Sequence, residues 1–242
     1  MILPGLVSVT FKKHTVRQVL DLMGKAQLKA VEWSEGWHVH LGNPAEAAEV
    51  RQLCKERNIT IVALGSYYKL GENQDFAPVL ELAQALGAPT IRIWAGKIPS
   101  REVKPASFAS LAKEAETLAQ QCSLEGIEIA FEFHKDTLTD SNESAAKLLS
   151  LAPSCKSLWQ PIVALSLQER KAGLERITQR LAYLHVFFMN GPVKRPLQEG
   201  VEEWKGYLSN LAGDHYALLE FVMGDREDQF LEDAATLHQL VR

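Results

Sequence analysis

Two hydrophobic rhythms alternate along the whole chain. Short apolar runs of period two, which suit strands, are followed by longer stretches with apolar residues every three to four positions, which suit helices. The strand-like runs cover residues 6–11, 30–34, 59–66, 90–96, 127–134, 157–162, 181–189 and 216–222. The helix-like stretches cover residues 15–26, 45–57, 75–86, 105–122, 141–151, 167–179, 198–211 and 226–241. The first of these carries Val16, Val19, Leu20 and Met23 on one face. Punctuation agrees with the rhythm: Pro44 opens the second helix, Gly87 closes the third, and Asp140 stands where the fifth needs an N-cap.

Eight strand–helix units in 242 residues predict one domain, a single (β/α)8 TIM barrel over residues 1–242, a fold that takes about 250 residues. An open doubly wound sheet is the competing architecture. It would carry a glycine-rich turn after its first strand, and the turn here reads FKKHTV.

Composition narrows the class. The chain is 46% hydrophobic and 23% charged, with a net charge of -4, which fits a soluble globular protein and disfavours nucleic acid as a partner. No apolar run approaches the ~20 residues of a membrane span. The N-terminus, MILPGLVSVTFKK, reads as a first strand and not as a signal peptide. Cys54, Cys122 and Cys155 are odd in number and far apart, which predicts reduced thiols in a cytoplasmic protein. A homodimer is allowed by these features without being required by them.

Chemistry enters at the strand ends, where a barrel of this type keeps its site. The stretch IEIAFEFHKDTLTD, residues 127–140, is the clearest case. Ile127, Ile129, Phe131 and Phe133 face one way, and Ala130, Glu132 and His134 the other. Strands six, seven and eight add Gln160, His185 and Glu220. Two carboxylates, an amide and an imidazole suit Mn²⁺, Mg²⁺, Co²⁺ or Zn²⁺, and their formal charge cancels that of a divalent ion. On this reading an aspartate at 160 would bind the ion more tightly. The plainer readings are that Glu132 meets an interior Lys or Arg, that Arg92 neutralises Glu220, and that His185 is a hydrogen-bonded core residue. Tyr67, Tyr68 and Trp159 either cap the barrel mouth or form a wall for a sugar ring. Lys12 and Lys13 read as a solvated face.

The segments VEWSEGWHVH, GSYYKLG, IRIWAG, FEFHKDTLTDS, LWQP, LHVF and LLEFV follow one another over nearly the whole chain. In that order they resemble the sugar phosphate isomerase/epimerase group of xylose-isomerase-like barrels, whose fold also serves endonuclease IV. The resemblance implies that Glu132, His185 and Glu220 match three of four metal ligands. Gln160 stands where the family has Asp, and Val163 where a His often follows; Gln160 could ligate through its carbonyl or donate its NH₂ to a substrate hydroxyl. The implied activity is metal-dependent isomerisation or epimerisation of a sugar or sugar phosphate, with Glu132 and Glu220 exchanging the proton alpha to a carbonyl. Arg92, His134 and His40 would hold substrate oxygens, Trp33, Trp94, Trp159 and Tyr67 would flank the sugar, and Lys194 would meet a phosphate. A dehydratase using the same enediolate, and a non-catalytic carbohydrate-binding barrel, are the alternatives. A three-zinc nuclease needs more His and Asp ligands than the chain offers.

Overall fold

Eight parallel strands close on themselves in the computed structural model, which describes residues 1–209 and 211–242. They are β1 (Ile2–Val7), β2 (Ala30–Ser34), β3 (Thr60–Lys69), β4 (Thr90–Trp94), β5 (Glu128–Glu132), β6 (Lys156–Trp159), β7 (Leu181–Val186) and β10 (His215–Leu219). A two-stranded hairpin, β8 (Phe188–Asn190) with β9 (Val193–Arg195), leaves the barrel after β7. Eight helices surround it: α1 (Val16–Lys25), α2 (Pro44–Glu56), α3 (Ala77–Leu86), α4 (Pro105–Ser123), α5 (Asn142–Leu151), α6 (Leu167–Ile177), α7 (Val201–Leu208) and α8 (Glu227–Leu240). The chain is therefore a (β/α)8 barrel.

Local chemistry accounts for most helix ends. Thr15 and Gln18 form a reciprocal capping box at α1, as Ser166 and Glu169 do at α6. Gly87 ends α3 with a left-handed φ of 71°. The cap of α5 is Ser141, not the expected Asp140: Asp140 lies one residue too early and accepts instead from the Ser100 amide at 3.0 Å.

Some boundaries move for identifiable reasons. The first strand lies earlier than residues 6–11, because pairing with β10 runs from Ile2 opposite His215 to Leu6 opposite Leu219. Gly5 allows this approach, since a Cβ there would fall 2.5 Å from Leu218. Residues Ser8–Phe11 then wind into a 3-10 turn that packs Phe11 on Phe230 at 5.2 Å. The seventh strand stops at Val186, the last residue paired with β10, and the apolar residues after it enter the hairpin. The helix expected over 198–211 is a 3-10 turn, Leu197–Gly200, leading into α7; residue 210 lies outside the described residues.

The core has two parts. One large cluster fills the space between strands and helices. A smaller one, with Val7, Ala30, Val62, Leu158, Tyr183 and Leu218, belongs to the barrel interior. By strand alternation Ala30, Leu158, Tyr183 and Leu218 share their faces with Glu32, Gln160, His185 and Glu220. The inward face thus changes from apolar to charged towards the C-terminal ends of the strands.

Candidate active site

The charged layer is a chain of contacts across the barrel. Arg92, from β4, reaches Glu132 at 3.2 Å and Glu32 at 3.3 Å, and donates to the Ser66 carbonyl at 2.7 Å. Glu32, from β2, is fully buried and also accepts from the Tyr183 hydroxyl at 2.7 Å and from His185 Nε2 at 2.8 Å. His185 Nδ1 meets Glu220 at 3.0 Å. Both ring partners are carboxylates, which only accept, so the imidazole donates from both nitrogens and carries a charge. Gln160 donates its amide to the Phe133 carbonyl at 2.7 Å and lies 3.3 Å from Glu132 Oε1.

Electrostatics follow from burial and these partners. Burial alone would raise the Glu32 carboxyl, but His185 and then Arg92 outweigh it and hold it well below the usual range. Burial alone would lower His185, and the carboxylates of Glu220 and Glu32 reverse that and hold it well above its ordinary value. Tyr183 is pushed up by burial and by Glu32. Three carboxylates thus face one guanidinium and one imidazolium.

A cavity of about 610 Å³ opens on this layer, with Arg92, Glu132 and Glu220 among its walls. Tyr67, Trp94, His134 and Lys194, which the sequence reading places against a substrate, also border it. The loop after β5 is held by two threonines: Thr139 donates to the Glu132 carbonyl at 2.5 Å and Thr137 to that of His134 at 2.7 Å. The polar run KDTLTD therefore fixes the end of the strand that carries Glu132. His134 stacks on Trp94 with centroids 4.4 Å apart, and the Lys69 ammonium lies 4.7 Å from the same indole. Trp94 Nε1, Gln160 Oε1 and Arg92 Nε are buried without a protein partner.

Three expected substrate contacts lie elsewhere. Trp33 is fully buried on the helix side and donates to Cys54 at 3.3 Å; it follows Glu32, so it points outward where Glu32 points in. Trp159 packs on Trp204 and Tyr207 at 6.1 and 5.0 Å, also in the outer layer. His40 is half-exposed, bonded to Glu46 at 2.9 Å, and does not border the cavity. Arg92 neutralises Glu132 and Glu32, while Glu220 is paired with His185.

Sequence reasoning missed Glu32 and Tyr183. A signal for Glu32 existed, since a carboxylate between Val31 and Trp33 in an apolar strand is the same pattern that singled out Glu220. Also missed were Phe221, whose φ of 55° is rare for a bulky residue, and Lys12 and Lys13, which line the cavity mouth while remaining exposed.

Residues 20–239 match the xylose isomerase-like TIM barrel family, and the chain belongs to it. Among solved structures it is similar to a probable 3-DHS dehydratase, AsbF, from Bacillus anthracis, at 15% identity and a TM-score of 0.75, over 100% of this chain and 99% of that one. An L-ribulose 3-epimerase is similar at 10% identity and a TM-score of 0.69, over 97% and 86% of the two chains. A third, the IOLI protein with a bound zinc atom, is similar at 11% identity and a TM-score of 0.66, over 98% and 96%. At these identities the likeness is one of fold. No curated protein matches the chain in sequence.

The zinc-bearing neighbour makes the ion a test for the donor set here. Glu132, Gln160, His185 and Glu220 do converge on one end of the barrel, but their donor atoms are engaged with one another and with Arg92. Both His185 nitrogens are bonded to carboxylates, and Gln160 turns its NH₂, not its carbonyl, towards Glu132. Among the described residues no three His, Cys, Asp or Glu side chains are placed to hold a metal ion. Like unit charges about 4 Å apart repel by about 4 kcal/mol at an effective dielectric of about 20, and a divalent ion would double that against Arg92. The residues as arranged do not fit a divalent cation.

Proposed function

We propose that the chain is an enzyme that moves a proton at the carbon alpha to a carbonyl in a small polyhydroxylated substrate, as an isomerase or epimerase. The observation that carries this reading is the shared wall of one cavity, to which β4 brings the guanidinium of Arg92, β5 the carboxylate of Glu132, and the residue after β10 the carboxylate of Glu220. Glu132 or Glu220 takes the alpha proton, the C–H electron pair becomes the new C=C bond, and the carbonyl π pair moves onto oxygen. The resulting enediolate faces Arg92, a cation already held in place by Glu132, Glu32 and the Ser66 carbonyl. Return of the proton to the opposite face of the same carbon gives epimerisation; return to the neighbouring carbon gives isomerisation. Loss of a beta hydroxyl from the same enediolate would give dehydration, the activity attached to one structural neighbour.

The rim supports a substrate with an anionic end, a phosphate or a carboxylate. Lys12, Lys13 and Lys194 all border the cavity, and Lys194 is paired there with Asp225 at 2.6 Å. Trp94 borders the cavity, and its buried Nε1 has no protein partner.

A panel of ketoses, aldoses and their phosphates, followed by product analysis, tests the proposal. At least one member is expected to turn over, and Glu132→Gln and Glu220→Gln are each expected to lose about 100-fold or more in kcat, the range for removal of a general acid–base group. Turnover that survives both substitutions would remove the two carboxylates from the mechanism.

A further inference from the structure

We propose that this site binds the oxyanion of its substrate with the guanidinium of Arg92 and without a metal ion. Three features of the interior carry this. First, Arg92 is gripped on two sides, by Glu132 at 3.2 Å and Glu32 at 3.3 Å, and its Nη1 is anchored on the Ser66 carbonyl at 2.7 Å. These contacts fix the plane of the guanidinium and leave its buried Nε without a protein partner, on a side chain that borders the cavity.

Second, the fold makes room for that grip. Gly65, on β3, faces the pair, and a Cβ there would lie 2.7 Å from Arg92 Nη2 and still closer to Glu32. Its backbone does not need the conformational freedom of glycine, because it is absent from the residues with positive φ. The missing side chain serves the ion pair.

Third, the remaining donors are already committed. His185 bridges Glu32 and Glu220 through both nitrogens, and Gln160 offers an amide in place of a third acidic ligand. This layer carries two basic side chains, Arg92 and His185. Arg92 alone of the two borders the cavity, so it is the cation a substrate oxygen meets. A planar guanidinium can hold two oxygens of an enediolate or a carboxylate side by side.

The inference leans on the proposed function only for the identity of that oxygen, so its test uses binding and metal content, which need no turnover. The full chain, purified without added metal, is assayed for bound metals, melted with and without Mn²⁺, Co²⁺ and Zn²⁺, and titrated with oxalate, a planar dianion shaped like an enediolate, in the presence of EDTA. Trp94, at the cavity wall, provides the fluorescence signal. The expected result is substoichiometric metal, no change in Tm with any of the three ions, and oxalate binding that EDTA leaves unchanged. Arg92→Lys keeps the interior charge but loses the two-pronged grip, and is expected to weaken oxalate by about tenfold or more, the range of a lost charge-assisted contact. One tightly held ion per chain, a rise in Tm with Mn²⁺, or oxalate binding that requires added metal would each overturn the proposal. So would undiminished oxalate affinity in Arg92→Lys.

Discussion

At Glu32 one buried carboxylate is shared by a tyrosine hydroxyl at 2.7 Å, an imidazole at 2.8 Å and a guanidinium at 3.3 Å. Removing one partner of such a group leaves a charge stranded in the interior, which is costlier than the pair was favourable. Arg92→Met is therefore expected to lower the unfolding free energy by about 3–5 kcal/mol, read from urea denaturation, with Glu32 and Glu132 left facing each other. Sequence reasoning found Glu132, Glu220, His185 and Arg92, because each interrupts an apolar strand near its end. It passes over Glu32, whose strand draws notice for Trp33 and for His40 beyond it. The partners of Glu32 lie 60, 151 and 153 residues away, and nothing local encodes such pairings. The same limit turned Trp33 and Trp159 into expected sugar contacts: an aromatic near a strand end reads alike whether it points inward or outward until the register is known.

At the scale of single elements, β3 and the loop after β2 give sharper tests. Gly65→Ala on β3 places a methyl against the Glu32–Arg92 pair, and is expected to cost about 1–3 kcal/mol as an overpacked site, read as a lower Tm with the backbone still allowed. Valine at Thr139 would leave the Glu132 carbonyl without the hydroxyl that meets it at 2.5 Å; a loss of about 1 kcal/mol and a larger fall in kcat than in substrate affinity are expected, since the loop positions Glu132. His38, in the loop after β2, is 3% exposed and packs on Trp33 at 5.5 Å. Burial pushes its pKa down to about 4. The fold therefore favours the neutral ring. That preference is fully present above the unfolded value of about 6.5 and is lost as pH falls from there through 4. Stability measured between pH 7 and pH 4 is expected to decline, and His38→Leu to flatten part of that decline. An unchanged slope in the variant would assign the acid sensitivity to other groups.

The whole molecule was the most legible scale. Eight repeats of strand and helix specify a barrel because a parallel strand needs a crossover helix, and eight such units close on themselves. What periodicity left open was the detail at the rim, such as the β8–β9 hairpin that carries Lys194, where the apolar residues Phe187, Phe188 and Met189 continue the rhythm of β7 after its pairing has ended. The inward faces of separate strands combine into one charge-balanced layer only when the ring is closed. That layer is why the metal site implied by the family resemblance and the arrangement around Arg92 differ, although both involve Glu132, His185 and Glu220.

Solvent exchange tests the central claim most directly. The full chain is incubated in D₂O and EDTA with a substrate found in the panel, and deuterium at the alpha carbon is followed by NMR. The account predicts incorporation by the wild-type chain in EDTA and its loss in Glu132→Gln and Glu220→Gln. Exchange that appears only after a divalent metal is added, or that persists when both carboxylates are replaced, would contradict it.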